Sequence, residues 1–314
     1  MITKESKQVP SSIMMVRPVR FGYNAETAVT NAFQVQDTGE SAEQIQEKAL
    51  EEFLSARDKL REEGVKVVEF VDTSEPHTPD SIFPNNWISF HDDGKVVLYP
   101  MCAENRRTER RKEFIDSLVE EYGFSVSEVI DYSDKEAEGV FLEGTGSVIF
   151  DYVNMIAYAN YSPRTDKALF EEVCDRLGFK PFGFTSVDKA GKDIYHANVL
   201  MCLGDDFAVV CEESIRDEKE RKALRDSLEK TGHEVVSITM DQMYSFAGNM
   251  LEVCNERGHR YLVMSQCAYD SLDDQQLETL AKYAKLLPLD VSTIEEKGGG
   301  SIRCMMAGVN LPKA

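Results

Sequence analysis

Four stretches of the chain read as short apolar, β-prone runs on either side of a polar or glycine-containing turn: WISFHDDGKVVLYP (87–100), SVIFDYVNMIAYA (147–159), NVLMCLGDDFAVVC (198–211) and MLEVCNERGHRYLVMS (250–265). Each is followed by a segment of helical periodicity with one charged face, at 107–123, 165–178, 214–232 and 271–284, and three of these close on a glycine. A fifth such segment, at 41–64, precedes the first hairpin. Every helix leads into another strand candidate: VKVVEFVD, FSVSEVIDY, FKPFGFTSV, HEVVSITM and LLPLDVSTI. The unit thus recurs with five helices and five following strands, and one hairpin is missing. The two chain ends can supply it, with IMMVRPVRF (13–21) lying beside SIRCMMAGV (301–309). The pattern predicts an α/β fold of five modules closed into a ring with five-fold pseudosymmetry. Closure removes exposed sheet edges and brings matching points of each module to the central axis.

Just before each hairpin stands a residue too polar for the apolar run it introduces. These are Asn86 in FPNNW, Glu143 in FLEGTGS, His196 in YHANV, Asn249 in FAGNM and Cys304 in GGGSIRC, at intervals of 57, 53, 53 and 55 residues. A closed ring carries all five to one central channel. A thiol, an imidazole and a carboxylate at equivalent positions make a nucleophile, an acid/base and an orienting group, suited to an electrophilic carbon bearing nitrogen leaving groups. The other six cysteines sit in or beside apolar runs, where packing is the simpler account. His77, His91, His233 and His259 fall at turns or element edges and read as surface residues. Glu143 lies among Leu142, Gly144 and Gly146, a setting that reads as buried and calls for a partner. Gly298, Gly299 and Gly300 are either a flexible loop or a close backbone approach to a ligand.

Charge narrows the class. With 35 Lys and Arg against 56 Asp and Glu, the net charge of −21 argues against nucleic acid or an anionic membrane as partner. Seven cysteines without regular spacing do not make a disulfide framework, which fits a reducing cytoplasm. No apolar run approaches the roughly 20 residues of a membrane helix, and MITKESKQVPSS lacks the core of a secretion signal. Glu143, His196 and Cys304 are also metal-ligand types, but no short ligand motif such as H-E-x-x-H supports a metal site.

The motifs RPVRFGYNAETAVTNAFQ, FPNNW, FLEGTGS, YHANVLM and GGGSIRCM resemble the pentein, or guanidine-modifying, superfamily over nearly the whole chain. They look most like its amidinotransferase-like, citrulline-utilisation branch. The resemblance implies a five-bladed β/α propeller, with residues 1–12 as an N-terminal tail and 13–314 as a single domain. It also implies a covalent thiouronium-type intermediate on Cys304. His196 then serves as acid and base, and Glu143 holds substrate nitrogens and the imidazole. Asn86 is implied to line the pocket for the planar group, and Asn24 is a further binding candidate. Arg107 and Arg164 resemble the arginines that grip a substrate α-carboxylate. Arginine deiminases carry aspartate where this chain has Asn86 and Asn198, and the loss of two negative charges favours a neutral ureido group or a two-step dihydrolase. The expectation is a cytoplasmic hydrolase of arginine or citrulline with a small-molecule partner and neither cofactor nor metal. An amidinotransferase and a non-catalytic binding protein on the same scaffold are the rivals, and a homo-oligomer is left open. The segments 74–86 and 292–300 are candidate lids.

Overall fold

The computed structural model describes residues 6–36 and 39–314. Strand β1 (Ser12–Arg17) leads through the helix Ala42–Glu62 to β2 (Lys66–Val71). The next module is β3 (Ile88–Phe90), β4 (Lys95–Leu98), helix Glu113–Glu120 and β5 (Glu128–Asp131). It is followed by β6 (Val148–Asp151), β7 (Ile156–Asn160), helix Lys167–Leu177 and β8 (Lys180–Phe184). The fourth comprises β9 (Met201–Leu203), β10 (Phe207–Val210), helix Glu218–Lys230 and β11 (Glu234–Ser237). The last runs β12 (Leu251–Cys254), β13 (Arg260–Ser265), helix Asp274–Ala281 and β14 (Lys285–Leu289), and β15 (Ala307–Gly308) ends the series.

These strands form five separate three-stranded sheets of one design. A middle strand pairs antiparallel with its hairpin partner and parallel with the strand that follows the helix. The ring closes as expected. β15 pairs antiparallel with β1, with Ile13 opposite Gly308 and Met14 opposite Ala307, and β1 pairs parallel with β2.

The helices form where the periodicity places them because their ends are supplied with partners. Ser41 and Gln44 make a reciprocal capping box, as do Asp273 and Gln276, while Asp166 and Asp217 accept from backbone N–H groups of the first turn. Gly178 ends its helix at φ 80°, a left-handed conformation that disfavours any side chain. In the long helix Ile45, Ala49, Phe53, Ala56 and Leu60 are buried, one stripe at helical spacing against the β1–β2 sheet.

Three expectations change. Residues 6–11 pack against the modules and are no tail: Val9 is buried, and Gln8 bonds the backbone of Phe150 and Tyr152. DVSTI does not extend β14, because Ser292–Gly298 is helical. His91 and His233 are buried, His91 within a cluster of Phe150, Tyr152 and Phe179. Among the described residues no helix is long and apolar enough to cross a membrane.

Candidate active site

Each hairpin is entered through a tight helical turn, and these turns set the polar residues at the axis. Asn86 ends the turn Pro84–Asn86, while Glu143 and His196 immediately precede Gly144–Ser147 and Ala197–Leu200. His196 Nε2 lies 2.7 Å from Glu143 Oε2, and both residues are buried. Glu143 Oε1 accepts from the Cys102 backbone N–H at 3.0 Å, and Arg164 Nη1 stands 3.5 Å from Oε2. Burial alone would raise the Glu143 carboxyl, but the Arg164 charge and then the His196 hydrogen bond outweigh it and hold it well below the usual carboxylate range. Burial pushes His196 down to about 4, against the upward pull of Glu143 and with help from Arg164 and Arg106. The resting pair is therefore a carboxylate and a neutral imidazole. Because Nε2 must donate to the carboxylate, Nδ1 carries the lone pair, and no group among the described residues bonds it.

Cys304 sits in the turn before β15 and is buried. Asn249 Nδ2 points at its Sγ from 3.2 Å and Asn198 Nδ2 from 3.4 Å. Amide donors on sulfur bond more strongly as the sulfur becomes negative, so the arrangement suits a thiolate nucleophile.

Cys304 and His196 line one cavity, of about 280 Å³ with its open mouth included. Its wall includes Asp80, Asn86, Arg106, Arg164, Tyr195 and the backbone of Gly298 to Gly300. Arg106 makes two bonds from Nε to the Glu109 carboxylate, at 3.0 and 3.2 Å, and donates from Nη1 to Asn86 Oδ1 at 2.8 Å. With its oxygen so engaged, Asn86 is left with a partnerless Nδ2 in a cavity wall. Asp80 Oδ2 accepts from Asn24 at 2.8 Å and from Thr27 at 3.1 Å, while Oδ1 has no partner. Burial pushes the Asp80 carboxyl up, against the pull of Arg106.

The structure thus brings Cys304, His196, Asn86 and Arg164 to the cavity, with Glu143 and Asn198 directly behind the imidazole and the thiol. Asn24 stands one layer out, on Asp80. Arg107 does not reach the cavity: it turns outward to the Met101 carbonyl at 3.1 Å and Glu136 at 3.5 Å, and its neighbour Arg106 takes the inner position. Both candidate lids border the cavity. Residues 78–86 are buried and supply Asp80, Phe83 and Asn86 to the wall, and 292–300 form a helix and a glycine turn held by Asn31, Gln34 and Tyr195. Sequence reasoning also missed Asp80 and Arg106. An acid in a turn-rich run six residues before Asn86 was the available signal for Asp80. Among the described residues no group of three or more His, Cys, Asp or Glu side chains could hold a metal ion.

A ring of five such modules with a cysteine, a histidine and a carboxylate gathered at its axis defines a pentein of the guanidine-modifying class. The family model described as N,N dimethylarginine dimethylhydrolase, eukaryotic, matches residues 17–311, and the chain belongs to that family. Among solved structures, the arginine dihydrolase ArgZ of the cyanobacterial ornithine–ammonia cycle is similar at 18% identity and a TM-score of 0.73, over 96% of this chain but only 41% of that one. The chain therefore spans about two fifths of that enzyme. A substrate-bound N-terminal domain of ArgZ is matched over 98% of its own length at 19% identity and a TM-score of 0.73. A dimethylarginine dimethylaminohydrolase carrying an S-methyl-L-thiocitrulline adduct is similar at 15% identity and a TM-score of 0.63, over 95% of this chain and 99% of that one. No curated protein sequence matches the chain.

Proposed function

We propose that the chain is a cysteine hydrolase that takes arginine through citrulline to ornithine. The observation that carries this reading is the neutral His196, held by Glu143, in one cavity with Cys304. His196 accepts the thiol proton, and the sulfur attacks the guanidino carbon. The tetrahedral adduct expels ammonia as His196 returns that proton to the leaving nitrogen. Water, deprotonated by His196, then cleaves the sulfur–carbon bond, restores the thiol and yields the ureido product. A second round on the ureido carbon releases another ammonia and, after hydrolysis, carbon dioxide and ornithine.

The cavity supports an amino-acid substrate. Asp80 offers an unpartnered carboxylate oxygen for an ammonium, and Arg164, whose Nη1 makes only the 3.5 Å contact with Glu143, offers a guanidinium N–H for a carboxylate. The partnerless Asn86 Nδ2 is a donor, and a guanidinium has only donors to show it. A ureido oxygen accepts, so this wall favours the citrulline stage. The family match favours a second substrate on the same groups, an N-methylated arginine whose leaving group is a methylamine.

The test is incubation of the purified protein with arginine, citrulline, agmatine and N,N-dimethylarginine separately, beside Cys304→Ala, with ammonia, amines and amino acids quantified. Ornithine from arginine and citrulline, abolished in the variant, is expected. Citrulline as the end product would make it a deiminase. Dimethylamine from the methylated substrate alone would transfer the reading to dimethylarginine.

A further inference from the structure

A second cavity on the axis does not hold the catalytic groups. It has a volume of about 600 Å³ and lies further along the same axis, between the inner strands β3, β6, β9, β12 and β15 and past the turns that carry Asn86, Glu143, His196 and Cys304. Ile88, Phe90, Ile149 and Phe150 make much of its wall apolar. Partly exposed Gln8, Tyr152 and Asn310 line it as well, so it opens to solvent.

One charged side chain enters this cavity, that of Arg303, which is only 8% exposed. The other deeply buried arginines each have a carboxylate: Arg106 has Glu109 at 2.9 Å, Arg164 has Glu143 at 3.5 Å and Arg260 has Asp205 at 2.8 Å. Arg303 has no ion pair among the described residues, and its one protein hydrogen bond runs from Nη1 to the Met306 carbonyl at 3.4 Å. Burial lowers its affinity for the proton, and the groups that oppose this are Cys304, Tyr152 and Cys202, none of them a carboxylate. A buried guanidinium without a counter-charge is costly, and five N–H donors in a fork match a carboxylate in shape and charge.

We propose that this cavity is a second ligand site, which takes a small organic carboxylate with an apolar tail, its carboxylate on Arg303 and its tail against Phe90 and Phe150. A cation is repelled by Arg303, and a fully polar anion leaves the aromatic wall unused. The ligand would lie one residue from the nucleophile, on the side away from the substrate.

The experiment is equilibrium dialysis of the intact protein against radiolabelled butanoate at constant ionic strength. The expected result is saturable binding of one equivalent per chain, weakened at least tenfold by Arg303→Met and undisturbed by Arg164→Ala in the catalytic cavity. Because position 303 adjoins Cys304, Asn310→Trp at the cavity mouth is the second variant, and it too should abolish binding while the melting temperature stays near that of the parent. Absence of saturable binding overturns the proposal, as does binding that survives both Arg303→Met and Asn310→Trp or is lost in Arg164→Ala. Inorganic phosphate displacing butanoate at equal concentration overturns the choice of a carboxylate. No turnover is measured, so failure here is separate from failure of the proposed reaction.

Discussion

Asn86 distinguishes the two halves of the proposed reaction. Its side-chain orientation is set by Arg106, whose Nη1 holds Oδ1 and leaves Nδ2 without a partner. Aspartate at this position would keep an acceptor for Arg106 and replace the donor by a second acceptor, which suits guanidinium nitrogens and disfavours the ureido oxygen. Asn86→Asp is therefore expected to convert arginine mainly to citrulline, with ornithine formation from citrulline reduced at least tenfold. The ratio of the two products by chromatography checks this, and an unchanged ratio would remove Asn86 from the selection of the ureido stage. The same residue shows what is legible at this scale. Asn86, Glu143, His196, Asn249 and Cys304 are found from sequence because they interrupt apolar runs at a constant phase, and ring closure turns phase into proximity. Asp80 and Arg106 belong to no repeat. They reach the cavity from a loop and from a short 3-10 helix, where neither periodicity nor propensity specifies which way a side chain faces. Arg107 is singled out by its resemblance to carboxylate-gripping arginines, but in a 3-10 helix, Glu104–Glu109, adjacent arginines point about 120° apart, and only packing decides which is inside.

The helical turns that enter the hairpins are the elements that hold the site, and Gly146 shows how tightly. A Cβ at this position would meet Asn86 Nδ2 and come within 2.7 Å of His196 Nδ1, although the backbone there would accept an alanine. The conflict is thus with two side chains of the site and not with the fold. Gly146→Ala is expected to lower kcat by about 100-fold, the scale on which a displacement of roughly 1 Å acts, while the melting temperature changes little. Equal losses of activity and stability would mean that the turn, and not the catalytic pair, gives way. The larger elements were legible for a different reason. Outer helices carry their own punctuation, as at Ser41, Asp166, Asp217 and Asp273, and the middle strands β4, β7, β10 and β13 keep mostly apolar runs because both their faces are covered. Ser292–Gly298 escaped because it follows β14 directly and its N-cap, Val291, has no side-chain acceptor: the Thr293 and Ile294 N–H groups are met instead by Glu52 of a distant helix.

Ring closure governs the whole molecule. In an open array of modules each unit contacts only its neighbours, and unfolding can enter from an end. Here the ends are joined: β15 pairs with β1, the Val309 N–H donates to Ser12, the Ser125 N–H to Pro312 and the Ala314 N–H to Gly123, so residues 307–314 complete the sheet of the first module and tie it to the β3–β5 module. Unfolding must then break two module interfaces at once, which favours one cooperative transition. Trp87, the single tryptophan, is buried beside Asn86 and reports one module, whereas far-ultraviolet circular dichroism reports all of them. The two signals are expected to give the same urea midpoint in the intact chain. Removing residues 307–314 leaves Cys304, His196 and Glu143 in the chain but opens the ring, exposes the inner edge of β1 and frees the turn that holds Cys304. The shortened chain is expected to lose turnover entirely and to unfold at a much lower urea concentration, with the two signals no longer coincident. Coincident midpoints near the parent value would show that the modules are stabilised by their own helices and sheets, and that closure serves only to place the nucleophile.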